Sequence, residues 1–223
     1  MTVELSENGY SISENTVAKI ISEQKLRARN AKGYHYFPDV LAHNHVSDRR
    51  LKRNFTASKP NEKWVSDITY IKVESGFVYL AVIMDLFCRK IIGWSLDTRM
   101  TNQLIIDAFK MAVACRNVEP GLILHSDRGV QYRSGEYQAL LFEEKIQPSM
   151  SRKGNCWDNA AMEAFFARLK VEGLYAEDIS NTQEAYSCVF EYTELIYNNH
   201  RRHSTLGYKS PNQFKQEYAL MCA

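Results

Sequence analysis

The longest apolar stretch of the chain runs from Phe77 to Leu96 and is interrupted near its middle by Asp85, Arg89 and Lys90. Charges in that position argue against a membrane span and for two strands joined as a hairpin, Gly76 to Met84 and Lys90 to Leu96, with Asp85 in the connection supplying turn chemistry. The strand-like run Trp64 to Val73 precedes them across the Ser75-Gly76 turn, so three antiparallel strands begin the core. Thr101 then caps a predicted helix through Arg116, whose inner face carries Leu104, Ile105, Ala108, Ala112 and Val113. Beyond Pro120-Gly121 follow a strand at Leu122 to His125, a helix at Ser134 to Glu144, a short strand at Ile146 to Met150, and a helix over Asp158 to Lys170 capped by Asp158. A run of strands followed by alternating helix and strand predicts an α/β fold with a mixed five-stranded sheet flanked by helices.

The 223 residues suit one large core with appendages, divided here into a helical region and basic linker (1–58), a core (59–176) and a helical tail (177–223). Near the N-terminus, Ser13 to Leu26 reads as a single helix with Val17, Ile20, Ile21 and Leu26 as its stripe; Met1 to Ile12 is short and polar and is expected to supply no partner helix. In the tail, Thr182 to Asn199 reads as a helix, and Leu206 to Pro211 ends that pattern. The five cysteines are scattered without a Cys-x-x-Cys pair, as in a reduced cytosolic protein, and no secretory signal is visible in Met1 to Ser13.

Net charge is only +2, yet Lys25 to Lys59 holds nine basic residues against Asp39 and Asp48. That local +7 leaves −5 for the remainder, a pattern that suits a polyanionic partner, with Arg49, Arg50 and Arg53 in its densest run. The competing reading is a solvated linker. His43 and His45 lack companion cysteines and read as loop histidines.

Three carboxylates are offered from separate elements: Asp67 within the first strand, Asp127 where the fourth strand stops before Arg128-Gly129, and Glu163 within the following helix, with 35 residues between it and Asp127. Convergent carboxylates are hard donors able to hold two magnesium ions, which can clamp the attacking and leaving oxygens of a phosphodiester. Lys170 stands seven residues after Glu163, on the same helical face, where a cation can meet DNA phosphate; a solvated helix lysine is the plain alternative. The polar loop Ser151 to Cys156, with Lys153 and Asn155, can touch substrate.

Taken together, Trp64-Val65-Ser66-Asp67-Ile68-Thr69-Tyr70, Leu80 to Leu96, His125-Ser126-Asp127-Arg128-Gly129-Val130-Gln131-Tyr132, Ser149 to Ala160, Glu163 and the tail Tyr197 to Pro211 resemble the second-frame catalytic product of bacterial insertion-sequence transposases, which share the core of retroviral integrases. The likeness covers about Arg53 to Phe214. It implies a ribonuclease-H-like fold with Asp67, Asp127 and Glu163 as the catalytic, metal-binding triad. It also implies magnesium, or manganese as substitute, in two-ion form, and a reaction of DNA cleavage followed by strand transfer. The expected partners are DNA, both element ends and target, further copies of the chain on that DNA, and an upstream-frame protein; the expected location is the bacterial cytoplasm, at the nucleoid. Family members carry a fuller helical region before the core, and this chain is expected to begin within the last helix of that region. Two other functions compete: a same-fold nuclease that hydrolyses without joining, and a non-catalytic DNA-binding regulator of transposition.

Overall fold

The computed structural model describes residues 1–26, 56–151, 160–174 and 179–222. The chain forms two compact units, Met1–Leu41 and Ala42–Ala223. In the first, α1 (Thr2–Glu7) and α2 (Glu14–Glu23) are separated by a turn in which Gly9 takes φ of +87°, a left-handed conformation that glycine adopts without strain. The expectation of one lone helix is therefore corrected. Met1 to Ile12 is short and polar, but Thr2 to Glu7 still closes a helix that ends at Asn8-Gly9. Ser13 caps α2 as expected, accepting from the Thr16 N–H at 3.2 Å.

The second unit is built on five strands: β1 (Lys63–Val73), β2 (Gly76–Asp85), β3 (Ile91–Asp97), β4 (Ile123–Ser126) and β5 (Gln147–Met150). Their order is β3-β2-β1-β4-β5, with the first three antiparallel and β4 and β5 parallel to β1. Helices cover both faces: α3 (Asn102–Ala114) and α4 (Gly135–Glu143) on one, α5 (Ala160–Arg168) and α6 (Thr182–Phe190) on the other. The period-two alternation of strand side chains decides which residue meets which layer. Val65, Ile71 and Val73 of β1 join Met162, Phe165 and Val189 in one apolar cluster, whereas Trp64 and Ile68 join Leu104, Phe109 and Tyr137 in the other. Each fully buried side chain of this kind contributes about 1.5–3 kcal/mol. Gly93 in β3 is required by the α3 layer, since a Cβ there would stand 2.2 Å from the Ala108 carbonyl oxygen.

Three details differ from the sequence expectation. Thr101 precedes α3 but its side chain makes no capping bond. The helix carrying Glu163 is α-helical only to Arg168 and continues as a wider π-helical turn over Leu169–Leu174, and α6 does the same over Glu191–Tyr197. A further helix, α7 (Pro211–Met221), follows Ser210, which forms a reciprocal capping box with Gln213; the Ser-Pro pair starts a helix here as well as ending the preceding pattern. Asp158, the expected cap of the Glu163 helix, lies outside the described residues.

Candidate active site

β1 has eleven residues and β4 only four. The parallel pairing between them runs Lys63 with Ile123, Trp64 with Leu124 and Val65 with His125, and then stops. Carrying that register two residues further brings Asp67 level with Asp127, so the two acids emerge where the strands part. Asp67 shares the odd positions of β1 with Val65 and Ile71, which face the α5 layer. Each carboxylate is steadied by its own backbone: Asp67 Oδ1 accepts from the Ile68 N–H at 2.8 Å and Asp127 Oδ1 from the Gly129 N–H at 2.9 Å. Gly129 fits because a Cβ there would lie 3.0 Å from Asp127 Oδ1.

Behind the two acids sits a residue that sequence reasoning did not single out. The Tyr132 hydroxyl lies 2.9 Å from Ser66 Oγ, and both side chains are buried. Burial pushes the Tyr132 phenol well above its ordinary range, and the charges of Asp67 and then Asp127 push it further. Arg128, next to Asp127, donates from Nε to the Ser151 carbonyl at 2.6 Å and ties the turn after β4 to the end of β5. The signal for Tyr132 was its place five residues after Asp127 in an otherwise polar turn; burial of a hydroxyl beneath β1 is not readable from spacing.

α5 packs on β1 through Met162, Phe165 and Phe166, and Glu163 is exposed at the flank of that buried stripe. Lys170 falls in the π-helical continuation, where its ammonium stands 4.7 Å from the centre of the Tyr70 ring on β1. Burial alone lowers its pKa. Asp67 and Asp127 offer hard oxygen donors that fit a divalent cation; among the described residues no group of three His, Cys, Asp or Glu that could hold a metal ion is found. Lys153 and Asn155, and Arg49, Arg50 and Arg53, lie outside the described residues. Asp85, by contrast, performs the turn role expected of it: its Oδ1 accepts from the Phe87 N–H at 3.0 Å.

Residues 57–156 and again 144–211 match integrase core domains. Over 220 residues the chain is 43% identical to the transposase InsF for insertion sequence IS3A of Escherichia coli (strain K12), spanning 97% of this chain and 75% of that one. The chain belongs to the insertion-sequence transposases. It is also 37% identical, over its whole length and 82% of the relative's, to an uncharacterized 31 kDa protein of insertion element IS600 from Shigella sonnei. Among solved structures, a chain of the simian T-cell lymphotropic virus intasome with the PP2A regulatory subunit B56 gamma superposes with TM-score 0.57 at 20% identity, covering 84% of this transposase and 61% of that chain. The HTLV-2 integrase catalytic core in complex with magnesium gives TM-score 0.53 at 19% identity over 70% of this transposase and 97% of that chain. These likenesses establish the ribonuclease-H-like sheet. The transposase is accordingly a polynucleotidyl transferase of DNA transposition, with an integrase core that uses divalent metal. Among the described residues no helix is long and apolar enough to cross a membrane.

Proposed function

We propose that Asp67, Asp127 and Glu163 are the catalytic acids of this transposase. The observation that supports the reading is the register of β1 and β4, which, carried two residues past Val65 and His125, sets Asp67 level with Asp127 where the strands part. Glu163 enters from α5, the helix packed on the same face of β1. Bound magnesium, with manganese as substitute and two ions as the working number, supplies Lewis acidity and a nucleophile at neutral pH. The chain's own part is to present fixed carboxylates, from a strand, a strand end and a helix, so that donor spacing is set by the sheet and not by a loop. In cleavage, water attacks a phosphodiester at the element end, one P–O bond forms and the bond to the departing 3′-oxygen breaks. In strand transfer that 3′-hydroxyl attacks a target phosphodiester, again exchanging one P–O bond for another, so no high-energy cofactor is consumed.

Lys170, held beside β1 over the Tyr70 ring, is suited to a DNA phosphate next to the acids. Lys153 and Asn155, which precede α5 in the sequence, and Arg49, Arg50 and Arg53 of the basic run complete the proposed DNA contacts. The working assembly is several copies of the chain on element ends and target in the cytoplasm, at the nucleoid, with an upstream-frame protein as partner. Labelled element-end duplexes incubated with magnesium or manganese test the reading: nicked ends and joined products are expected. Nicking without joining would leave a nuclease, and neither product a binding regulator.

A further inference from the structure

The helix that carries Glu163 changes pitch after Arg168. It widens there into the π-helical turn Leu169–Leu174, and that turn contains Gly173. A π-helical turn is seldom stable by itself and glycine weakens any helix, so this segment depends on partners outside it. They come from the second π-helical turn, Glu191–Tyr197, at the end of α6. Tyr192 lies so close to Gly173 that a Cβ on the glycine would stand 3.0 Å from the Tyr192 Cβ and 3.1 Å from its Cγ. Phe165, two positions after Glu163, meets the Tyr197 ring edge-on at 4.8 Å and the Tyr192 ring at 6.3 Å.

One acid joins the two turns. Glu172 Oε2 accepts from the Tyr192 hydroxyl at 2.9 Å and pairs with Arg201 Nη1, while its Oε1 stands 3.9 Å from Nη1 of Arg168, four residues earlier. Tyr192 is buried, and the Glu172 and Arg201 side chains are partly so. Burial and then the Glu172 charge push the Tyr192 phenol above its ordinary range, so it remains a donor to the carboxylate at neutral pH. The segment that brings Tyr192 and Arg201 is itself fastened to the sheet. Asn198 accepts from the Ile91 N–H and donates to the Ile91 carbonyl, each at 3.0 Å, and Glu194 accepts from the Trp94 indole N–H at 3.0 Å. Directional bonds thus link β3, through residues 191–201, to the helix of Glu163. A partly buried ion pair adds little net stability, because desolvation offsets the attraction, but its bonds admit one arrangement. That arrangement bears on Glu163, which stands nine residues before Glu172 in one continuous helical segment. Misplacing a reacting group by about 1 Å costs on the order of 10²-fold in rate.

We propose that Glu172, held by Tyr192 and Arg201, is a positioning residue that sets the register of the helix bearing Glu163 and thereby the reach of that acid toward the divalent ion. Glu172 acts through Glu163, so the proposal rests on the reading of Glu163 as a catalytic acid.

The test uses the full chain. Binding of manganese ion alone, without DNA, is followed by loss of the free-ion spin-resonance signal, and cleavage of a labelled element-end duplex is measured against manganese concentration well below each variant's melting temperature. Glu172→Gln keeps an acceptor for Tyr192 but loses the pairing with both arginines. It is expected to weaken manganese binding about tenfold or more, and to raise the manganese concentration for half-maximal cleavage in step, as loss of a group that orients a metal ligand does. Tyr192→Phe keeps the ring against Gly173 and is expected to shift both readings in the same direction by less; it carries the test if Glu172→Gln does not fold. In a Glu163→Gln background, Glu172→Gln is expected to weaken manganese binding no further. Equal weakening in both backgrounds overturns the proposal. So does a folded Glu172→Gln with parental manganese binding and only a lowered melting temperature, which marks a stabilising pair and nothing more. Parental manganese binding and cleavage in Glu163→Gln itself would remove the reading of Glu163 and this proposal with it; an impaired Glu163→Gln beside a parental Glu172→Gln removes this proposal alone.

Discussion

Asp127 follows the last residue of β4 and Asp85 is the last residue of β2, so two aspartates terminate strands of one sheet in different surroundings. Asp127 is exposed, steadied by the Gly129 N–H, and level with a second carboxylate. Asp85 has no exposed surface and is paired with Arg116, whose side chain is itself 4% exposed. The first arrangement keeps its carboxylate at the solvent-facing end of β4 and costs little in folding; the second spends its oxygens on the turn and on one buried cation. Residue type is common to both, and the position of the strand end relative to the helical layers decides the role.

The largest effect should come from the exposed member. Asp127→Asn is expected to lower cleavage by about 10³-fold or more, the equivalent of several kcal/mol of metal-assisted stabilisation. Removing one of two facing charges relieves repulsion, so melting temperature should stay level or rise slightly. Cleavage at the parental rate would end the assignment of this acid. Asp85→Ala inverts the pattern: it should cost about 3–5 kcal/mol of stability by leaving Arg116 buried without its acid. Adding Arg116→Met should restore much of that loss, because the pair is then replaced by an apolar contact. A single variant with parental stability would mean that water already screens the pair.

How much of this was legible beforehand follows from which forces act locally. Strand alternation at Trp64 to Val73 and the charged break at Asp85 are carried by neighbouring residues, so the three-stranded start of the sheet could be read directly. The separation of Asp127 from Glu163 and the surrounding words identified the family. What escaped depended on partners distant in sequence. Arg116 reaches Asp85 across 31 residues, and the Tyr132 hydroxyl meets Ser66 across 66. The short helix α1 was missed because six polar-rich residues carry no periodicity, and the π-helical turn after Arg168 because nothing in Leu169 to Leu174 marks a change of pitch.

A pH series sharpens the contrast between buried and exposed groups. Burial, then Arg201 and Arg89, lower the His203 pKa to about 4 from its ordinary 6.5. The unfolded chain therefore binds the extra proton first, and the stability this neutral imidazole contributes is present above pH 6.5 and lost as pH falls through the window toward 4. Asp85 has the opposite sign, since burial raises its carboxyl: its contribution is full below the ordinary carboxylate value of 3.8 and declines as pH rises through the raised one. His203→Phe keeps an aromatic ring beside Tyr197 and should reduce the fall in melting temperature between about pH 7.5 and about pH 5, which bracket the ordinary histidine value. An identical fall in parent and variant would place the titration elsewhere.

The smallest effect is expected where the exposed and buried regions meet. The ladder between β1 and β4 ends at Val65 and His125, one residue before Ser66, and there the Ser66–Tyr132 bond continues the link from the buried side. Tyr132→Phe retains the ring that meets Tyr137 at 5.8 Å but takes away the hydroxyl, leaving Ser66 Oγ without that partner at a cost of about 1–3 kcal/mol. For a chain of this size each kcal/mol corresponds to about 2–4 °C in melting temperature. Ser66→Ala should cost a similar amount by orphaning the phenol. The double variant removes both groups, so its loss should fall well short of the sum. Strict additivity would mean that the two hydroxyls contribute separately, and Asp67 within β1 and Asp127 after β4 would then be held level by packing alone.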